Sequence, residues 1–75
     1  MKYTVNVIWD AEASVWIATS DDVPGLVLES DSFDRLVTRV KEAIPELLEL
    51  NNDRHRTMKI PITFNSCRQE TVMVG

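Results

Sequence analysis

The stretch that decides the fold runs from residue 22 to residue 36 and reads DVPGLVLESDSFDRL. Pro24 fixes φ at about −65° and Gly25 accepts a positive φ, so the pair predicts a type II turn. The apolar segment Leu26 to Glu29 then predicts a strand. Ser32 can accept hydrogen bonds from the free amides of a first helical turn, which predicts that a helix begins directly after it.

The predicted helix carries one apolar stripe with spacings of three and four residues, and its charged residues lie away from that stripe. Pro45 removes a backbone hydrogen bond, at a cost of about 3 kcal/mol in a regular helix, and predicts a kink or a restart. Because the stripe continues beyond it, we expect one bent helix from about Phe33 to Leu50, ending at Asn51 and Asn52. The stripe consists of Phe33, Leu36, Val37, Val40, Ile44, Leu47 and Leu48.

Two strands are predicted before the turn. Lys2 to Trp9 alternates apolar and polar residues, as expected of a strand with one solvated face. A short polar segment follows, and Val15 to Thr19 is again rich in β-branched and aromatic residues, so the two strands predict a hairpin. Ile8 breaks the alternation, which suggests that the second face of the sheet also meets something apolar.

A fourth strand is predicted after a charged loop at Asp53 to Thr57. Ile60, Ile62 and Phe64 alternate with other residues there, and Pro61 favours an edge position or a bulge because it cannot donate to a ladder. Thr71 to Val74 either extends this strand past a bulge or returns as a short hairpin. The chain is therefore predicted to be one α+β domain over residues 1–75, a small antiparallel sheet with one packed helix in the order β-β-β-α-β.

The composition indicates a folded intracellular protein. Of the 75 residues, 44% are hydrophobic and 27% are charged, which is typical of globular domains. The apolar runs are too short to cross a bilayer and no leader is recognisable, so we expect a cytoplasmic location. The lone Cys67 has no partner for an internal disulfide and fits a reducing compartment.

The charge is divided along the chain. Residues 1–53 contain four basic and eleven acidic residues, a net of −7, whereas residues 54–75 contain four basic and one acidic, a net of +3. An acidic body repels nucleic acid and attracts basic partners. The alternative interpretation is a solvated surface that keeps a small protein soluble.

Catalytic and cofactor chemistry is not indicated. The single histidine, His55, lies between Arg54 and Arg56 with no orienting carboxylate, so we expect no enzyme. Only Gly25 and Gly75 are available, too few for a phosphate-binding loop, and no zinc-ligand spacing exists. We predict no cofactor and no metal.

Two weaker hypotheses concern the charged residues of the loops. Clustered carboxylates can hold magnesium, but turn aspartates more often bind local backbone amides. The basic residues could contact phosphate, although the acidic character of the whole chain argues against direct nucleic-acid binding. The acidic group is Asp10, Asp21, Asp22, Glu29 and Asp31, and the basic group is Arg54, Arg56 and Lys59.

The two tryptophans must fill the core or anchor an interface. Trp9 continues the inward parity of the first strand and is expected in the core or at its rim. Trp16 is expected on the outer face of the sheet. A partner-binding surface is predicted to include Trp16 together with the acidic residues Asp21, Asp22 and Glu29.

Three segments, in this order and spacing, resemble the HicB-like antitoxin domain over about two-thirds of the chain, up to Leu50. They are Val15–Ala18, Asp22–Val27 and Asp31–Leu36, followed by Lys41 to Ile44. The resemblance implies a partial RNase H fold that lacks the acidic active site of that enzyme. It also implies an antitoxin that covers a small RNA-cleaving toxin.

The chain departs from the family pattern at two points. Leu26 stands where many relatives have a cysteine, and no DNA-binding segment follows the last strand, so only the toxin-binding module is expected. The leading hypothesis is thus an antitoxin-type module that occludes a small basic ribonuclease. The alternative is a structural or adaptor protein that forms homo-oligomers, most simply dimers, through a sheet edge or the second sheet face.

Overall fold

The computed structural model describes residues 2–50 and 59–75. Its four strands and one helix follow the order β-β-β-α-β, which confirms the predicted α+β fold class. The elements are β1 (Tyr3–Asp10), β2 (Val15–Thr19), β3 (Val27–Ser30), α1 (Phe33–Leu50) and β4 (Ile62–Cys67). The predicted helix end at Asn51 and Asn52 and the loop containing Arg54, His55 and Arg56 lie outside the described residues.

The strands form one sheet in the order β3-β2-β1-β4. The predicted hairpin is confirmed, since β1 and β2 pair antiparallel up to Asp10 and Val15, and β3 pairs antiparallel with β2. One pairing differs from the expected antiparallel sheet: β4 runs parallel to β1. The reason is geometric, because β3 runs in the direction of β1 and a returning helix brings the next strand back in that same direction.

The predicted type II turn is confirmed between β2 and β3. The Leu26 amide donates to the Val23 carbonyl at 3.2 Å, and Gly25, at the third position of the turn, has φ 89°. Leu26 itself is buried, and the strand starts one residue later than predicted, at Val27.

The helix begins where the sequence predicts and is described up to Leu50. Ser32 Oγ accepts a hydrogen bond from the Arg35 amide at 3.3 Å, as an N-cap does. The helix is continuous from Phe33 to Leu50 with Pro45 inside it, so it does not restart. Four members of its apolar stripe are buried, and they are spaced four residues apart along the helix: Leu36, Val40, Ile44 and Leu48.

The core lies between α1 and one face of the sheet, called here the inner face. Its β1 members are Tyr3, Val5 and Val7, and alternate residues of β1 point to the opposite, outer face. The full set of buried apolar residues is Tyr3, Val5, Val7, Ala18, Val23, Leu26, Leu36, Val40, Ile44 and Leu48. Within the described ranges, no helix has the length and apolar character needed to span a membrane.

The last strand lies at an edge of the sheet, as Pro61 predicts. Strand β4 starts directly after this proline, and the Tyr3 amide donates to the Pro61 carbonyl at 3.2 Å. Both expectations for Thr71 to Val74 are wrong, because this segment neither extends β4 nor forms a hairpin. Residues 69–75, called here the C-terminal arm, are exposed and have no ladder partner among the described residues.

Candidate protein-binding face

The outer face of the sheet has an apolar centre. Ile8 and Ile17 are opposite one another in the antiparallel pair β1–β2, and Val27 lies on the same face of the neighbouring strand. Ile8 is 56% exposed and Val27 is 69% exposed, although residues of this type are usually buried. These side chains stay in contact with solvent because α1 packs on the inner face, so the irregular alternation at Ile8 corresponds to a real apolar surface.

Carboxylates border this apolar centre. Glu29 pairs with Ile17 and is exposed on the outer face, directly beside the centre. Asp10 ends β1, and its Oδ1 accepts hydrogen bonds from the amides of Glu12 and Ala13 at 3.0 and 3.2 Å. These two hydrogen bonds hold the hairpin loop closed and leave the Glu12 side chain exposed beside it.

The predicted residues Asp21 and Asp22 are exposed at the opposite end of the sheet. Asp22 Oδ2 accepts from the Thr4 amide at 2.8 Å, which fixes this carboxylate next to the start of β1. Ser20 strengthens the same junction, since its hydroxyl donates to the Thr4 carbonyl at 2.6 Å and accepts from the Asp22 amide at 3.1 Å. The Asp22 carboxylate is therefore held in a fixed position at the margin of the outer face.

The expected position of Trp16 on the outer face is wrong. Its ring centroid lies 5.2 Å from that of Trp9 and 5.1 Å from that of Phe33, both in edge-to-face geometry. The cause is the hairpin register, because Trp9 and Trp16 are directly opposite and opposite residues share a face. Trp9, half-buried on the inner face, lies at the core rim as predicted.

Sequence reasoning misses Arg68. Its guanidinium carbon lies 4.1 Å from the centroid of the Trp9 ring and 5.6 Å from that of Trp16, and its Nε donates to Glu70 Oε1 at 2.7 Å. The parallel pairing places Ile8 opposite Cys67, so the next residue of each strand comes together at the end of the sheet. The sequence could indicate this contact only if the parallel register of β4 were known.

The acidic group considered for magnesium is dispersed. Asp10 and Asp22 bind backbone amides, and Asp31 lies 3.8 Å from Arg35 in an exposed ion pair. In residues 2–50 and 59–75, no three His, Cys, Asp or Glu side chains approach closely enough to hold a metal ion. Lys59 and Cys67 are exposed.

The fold and this face define a small α+β module with one sheet face covered by a helix and the other open. The chain belongs to the family described as a domain of unknown function, DUF1902, whose model matches residues 2–74. It is similar to the crystal structure of the hypothetical protein TTHA1013 from the extremely thermophilic bacterium Thermus thermophilus, with a TM-score of 0.81 and 33% sequence identity. The alignment covers 96% of this chain and 100% of that one. No curated protein matches the chain significantly.

Proposed function

We propose that this chain is an antitoxin-type, HicB-like binding module that neutralises a small basic RNA-cleaving toxin by covering it. The observation that carries the proposal is the outer face, where Ile8, Ile17 and Val27 form an apolar centre that α1 leaves open. Soluble monomers rarely leave such residues together on one side of a sheet unless a partner covers them.

The charge around this centre supports a basic partner. Glu29 lies beside the centre, and Asp22 and Glu12 lie at its two ends. Carboxylates at the rim of an apolar patch accelerate association with a cationic surface and reject acidic proteins. A ribonuclease is a partner of this kind, since it must present positive charge to RNA.

The topology supports the same class of protein. The order β-β-β-α-β agrees with what the HicB-like segments imply. Inhibition by occlusion needs no catalytic group on this chain. It requires only that the docked module stand between the toxin and its RNA, which a rigid sheet face can do.

The proposal can be tested by co-expressing the chain with the product of a small basic reading frame adjacent to its gene. Purified toxin is then assayed for RNA cleavage while the chain is titrated in. We expect stoichiometric inhibition by the native chain. Ile8→Lys and Glu29→Lys should each weaken inhibition at least about tenfold, equivalent to about 1.4 kcal/mol of binding free energy.

The matched control is Glu42→Lys, which makes the same charge change on the exposed side of α1. Its inhibition should remain within about twofold of the native value, since rim charges matter only where they face the partner. Failure of the chain to inhibit any neighbour-encoded product would defeat the proposal. Equal weakening by Glu42→Lys would show that net charge, and not the outer face, governs inhibition.

A further inference from the structure

A second surface concerns the C-terminal arm and is independent of the outer face. Val72, Met73 and Val74 are 78%, 97% and 90% exposed, which makes the arm the most exposed apolar segment described. The molecule measures 57 Å along its longest axis and 20 and 19 Å along the others. An arm of seven extended residues adds roughly 23 Å to a body whose helix is about 27 Å long, so it projects away from the core.

The arm continues the residue pattern of β4. In β4, Ile62 and Phe64 share the inner face, and the even-numbered parity extends to Arg68, which contacts Trp9. Glu70 keeps this side, because it binds Arg68 two residues earlier. The valines at positions 72 and 74 resume the apolar pattern at the same parity. A strand that begins in β4 therefore has the sequence to continue through residue 74, and the family domain extends equally far.

The outer edge of β4 is available for pairing. The Tyr3 amide donates to the Pro61 carbonyl and Tyr3 is in register with Ile62, so odd-numbered residues of β4 direct their backbone groups toward β1. The even-numbered residues Ile62, Phe64 and Ser66 consequently direct their N–H and C=O groups outward. Among the described residues, no strand lies beyond β4. An open edge of this kind is a template for an added strand.

We propose that the arm of one copy pairs antiparallel with the free edge of β4 in a second copy, and that the second copy's arm does the same in return. A two-fold axis near Gln69 sets Arg68 opposite the partner's Glu70, Ser66 opposite the partner's Val72 and Phe64 opposite the partner's Val74. All of these positions have even numbers, so their outward backbone groups can bond. The resulting sheet has eight strands.

The charges of Arg68 and Glu70 favour a second copy of this chain as the partner of the β4 edge, and they favour one register of pairing over its neighbours. Arg68 and Glu70 lie two residues apart just after β4, so two copies related by this axis place opposite charges together twice. Opposite charges directly across a strand pair are favourable, whereas like charges are not. If one strand were shifted by two residues along the other in one direction, Arg68 would lie opposite the partner's Arg68. A shift in the other sense would place Glu70 against the partner's Glu70.

The oligomeric state provides the first test. Light scattering of the native chain at about 100 μM should give twice the 8.6 kDa chain mass. The double variant Val72→Asp and Val74→Asp should be monomeric with an unchanged circular dichroism spectrum, because these side chains are outside the core. Ser66→Pro, which removes one outward amide from the edge, should also be monomeric. The outer-face variant Ile8→Lys should remain dimeric.

The native cysteine provides a test of register. Cys67 is exposed and would lie opposite the partner's residue 71 at a non-hydrogen-bonded position, where Cα atoms are about 4.5 Å apart and a disulfide can form. Thr71→Cys should therefore give a covalent dimer when treated with diamide. The control Met73→Cys also has two cysteines in each chain. Its Cys67 would lie opposite the partner's residue 73 only in the shifted register, the one that places Glu70 opposite the partner's Glu70. It should cross-link at least about fivefold more slowly.

A native chain that remains monomeric, or a dimer that survives both the arm and the edge variants, overturns the inference. Equal cross-linking of the two cysteine variants also overturns it. These outcomes are separate from loss of toxin inhibition, which depends on the outer face.

Discussion

The guanidinium of Arg68 stacks on the indole of Trp9, with 4.1 Å between the guanidinium carbon and the ring centroid. This contact fastens the end of β4 to the end of β1, the only strand with which β4 pairs in the described sheet. The same guanidinium lies 5.6 Å from the centroid of the Trp16 ring. It therefore covers the exposed end of the aromatic cluster formed by Trp9, Trp16 and Phe33.

Replacing Arg68 should therefore destabilise the fold. Arg68→Gln removes the cation and is expected to lower the free energy of unfolding by about 0.5–1 kcal/mol. Tryptophan emission should shift to longer wavelength as the rings gain water. Glu70→Gln is the control, because it keeps the stack and loses only an exposed ion pair, at a cost below about 0.5 kcal/mol. Equal losses in both variants would assign the effect to the ion pair.

Leu36 should be among the least replaceable residues of the helix. It is fully buried, so Leu36→Ala leaves a cavity and costs about 2–5 kcal/mol. A domain of this size has only about 5 kcal/mol to lose, so the midpoint of urea denaturation should fall by roughly 40% or more. Leu50→Ala makes the same change at a residue 78% exposed and should alter stability by less than about 0.5 kcal/mol.

Gly25 should resist substitution because of its backbone. With φ at 89°, Gly25→Ala is expected to cost about 1–2 kcal/mol in thermal unfolding. A Cβ there would meet Leu47 Cδ2 at 3.4 Å, a tight contact that is separate from the backbone strain. Gly25→Asn distinguishes the two causes, since asparagine tolerates positive φ but is larger. A smaller loss for asparagine than for alanine would identify φ as the constraint.

Ser14 should be a site of stabilisation. It has φ 54° in the hairpin loop, an unfavourable conformation for serine. Ser14→Gly is expected to raise the free energy of unfolding by about 0.5 kcal/mol, after allowance for the extra freedom of glycine in the unfolded chain. Ala13→Gly in the same loop, where φ is not positive, should lower it. A loss of stability in Ser14→Gly would contradict this account.

Local signals are sufficient for most of the fold. Gly25 and Ser32 each act on backbone groups within three residues, so their turn and cap can be recognised from neighbouring sequence. Pro61 likewise indicates an edge strand, because its missing amide excludes a central position. The helix length follows from the apolar stripe, which continues past Pro45.

Strand pairing decides what the local sequence leaves open. The sequence assigns Trp16 to the wrong face because Val15, Trp16 and Ile17 are all apolar and show no alternation; only the register with Trp9 fixes its side. The parallel direction of β4, and with it the Arg68 contact, depends on a pairing between distant segments. The other predicted binding residues are exposed, and their role in binding remains a prediction; they are Asp21, Asp22 and Glu29.

The central position of β1 has a consequence for synthesis. Among the described strands, β1 precedes the others in chain order, yet one of its two neighbours, β4, follows all of them. Until β4 has been synthesised and has paired, the edge of β1 at Val5 and Val7 has no strand beside it. A chain shortened before β4 should therefore aggregate more than the full chain, because such bare flanks recruit foreign strands.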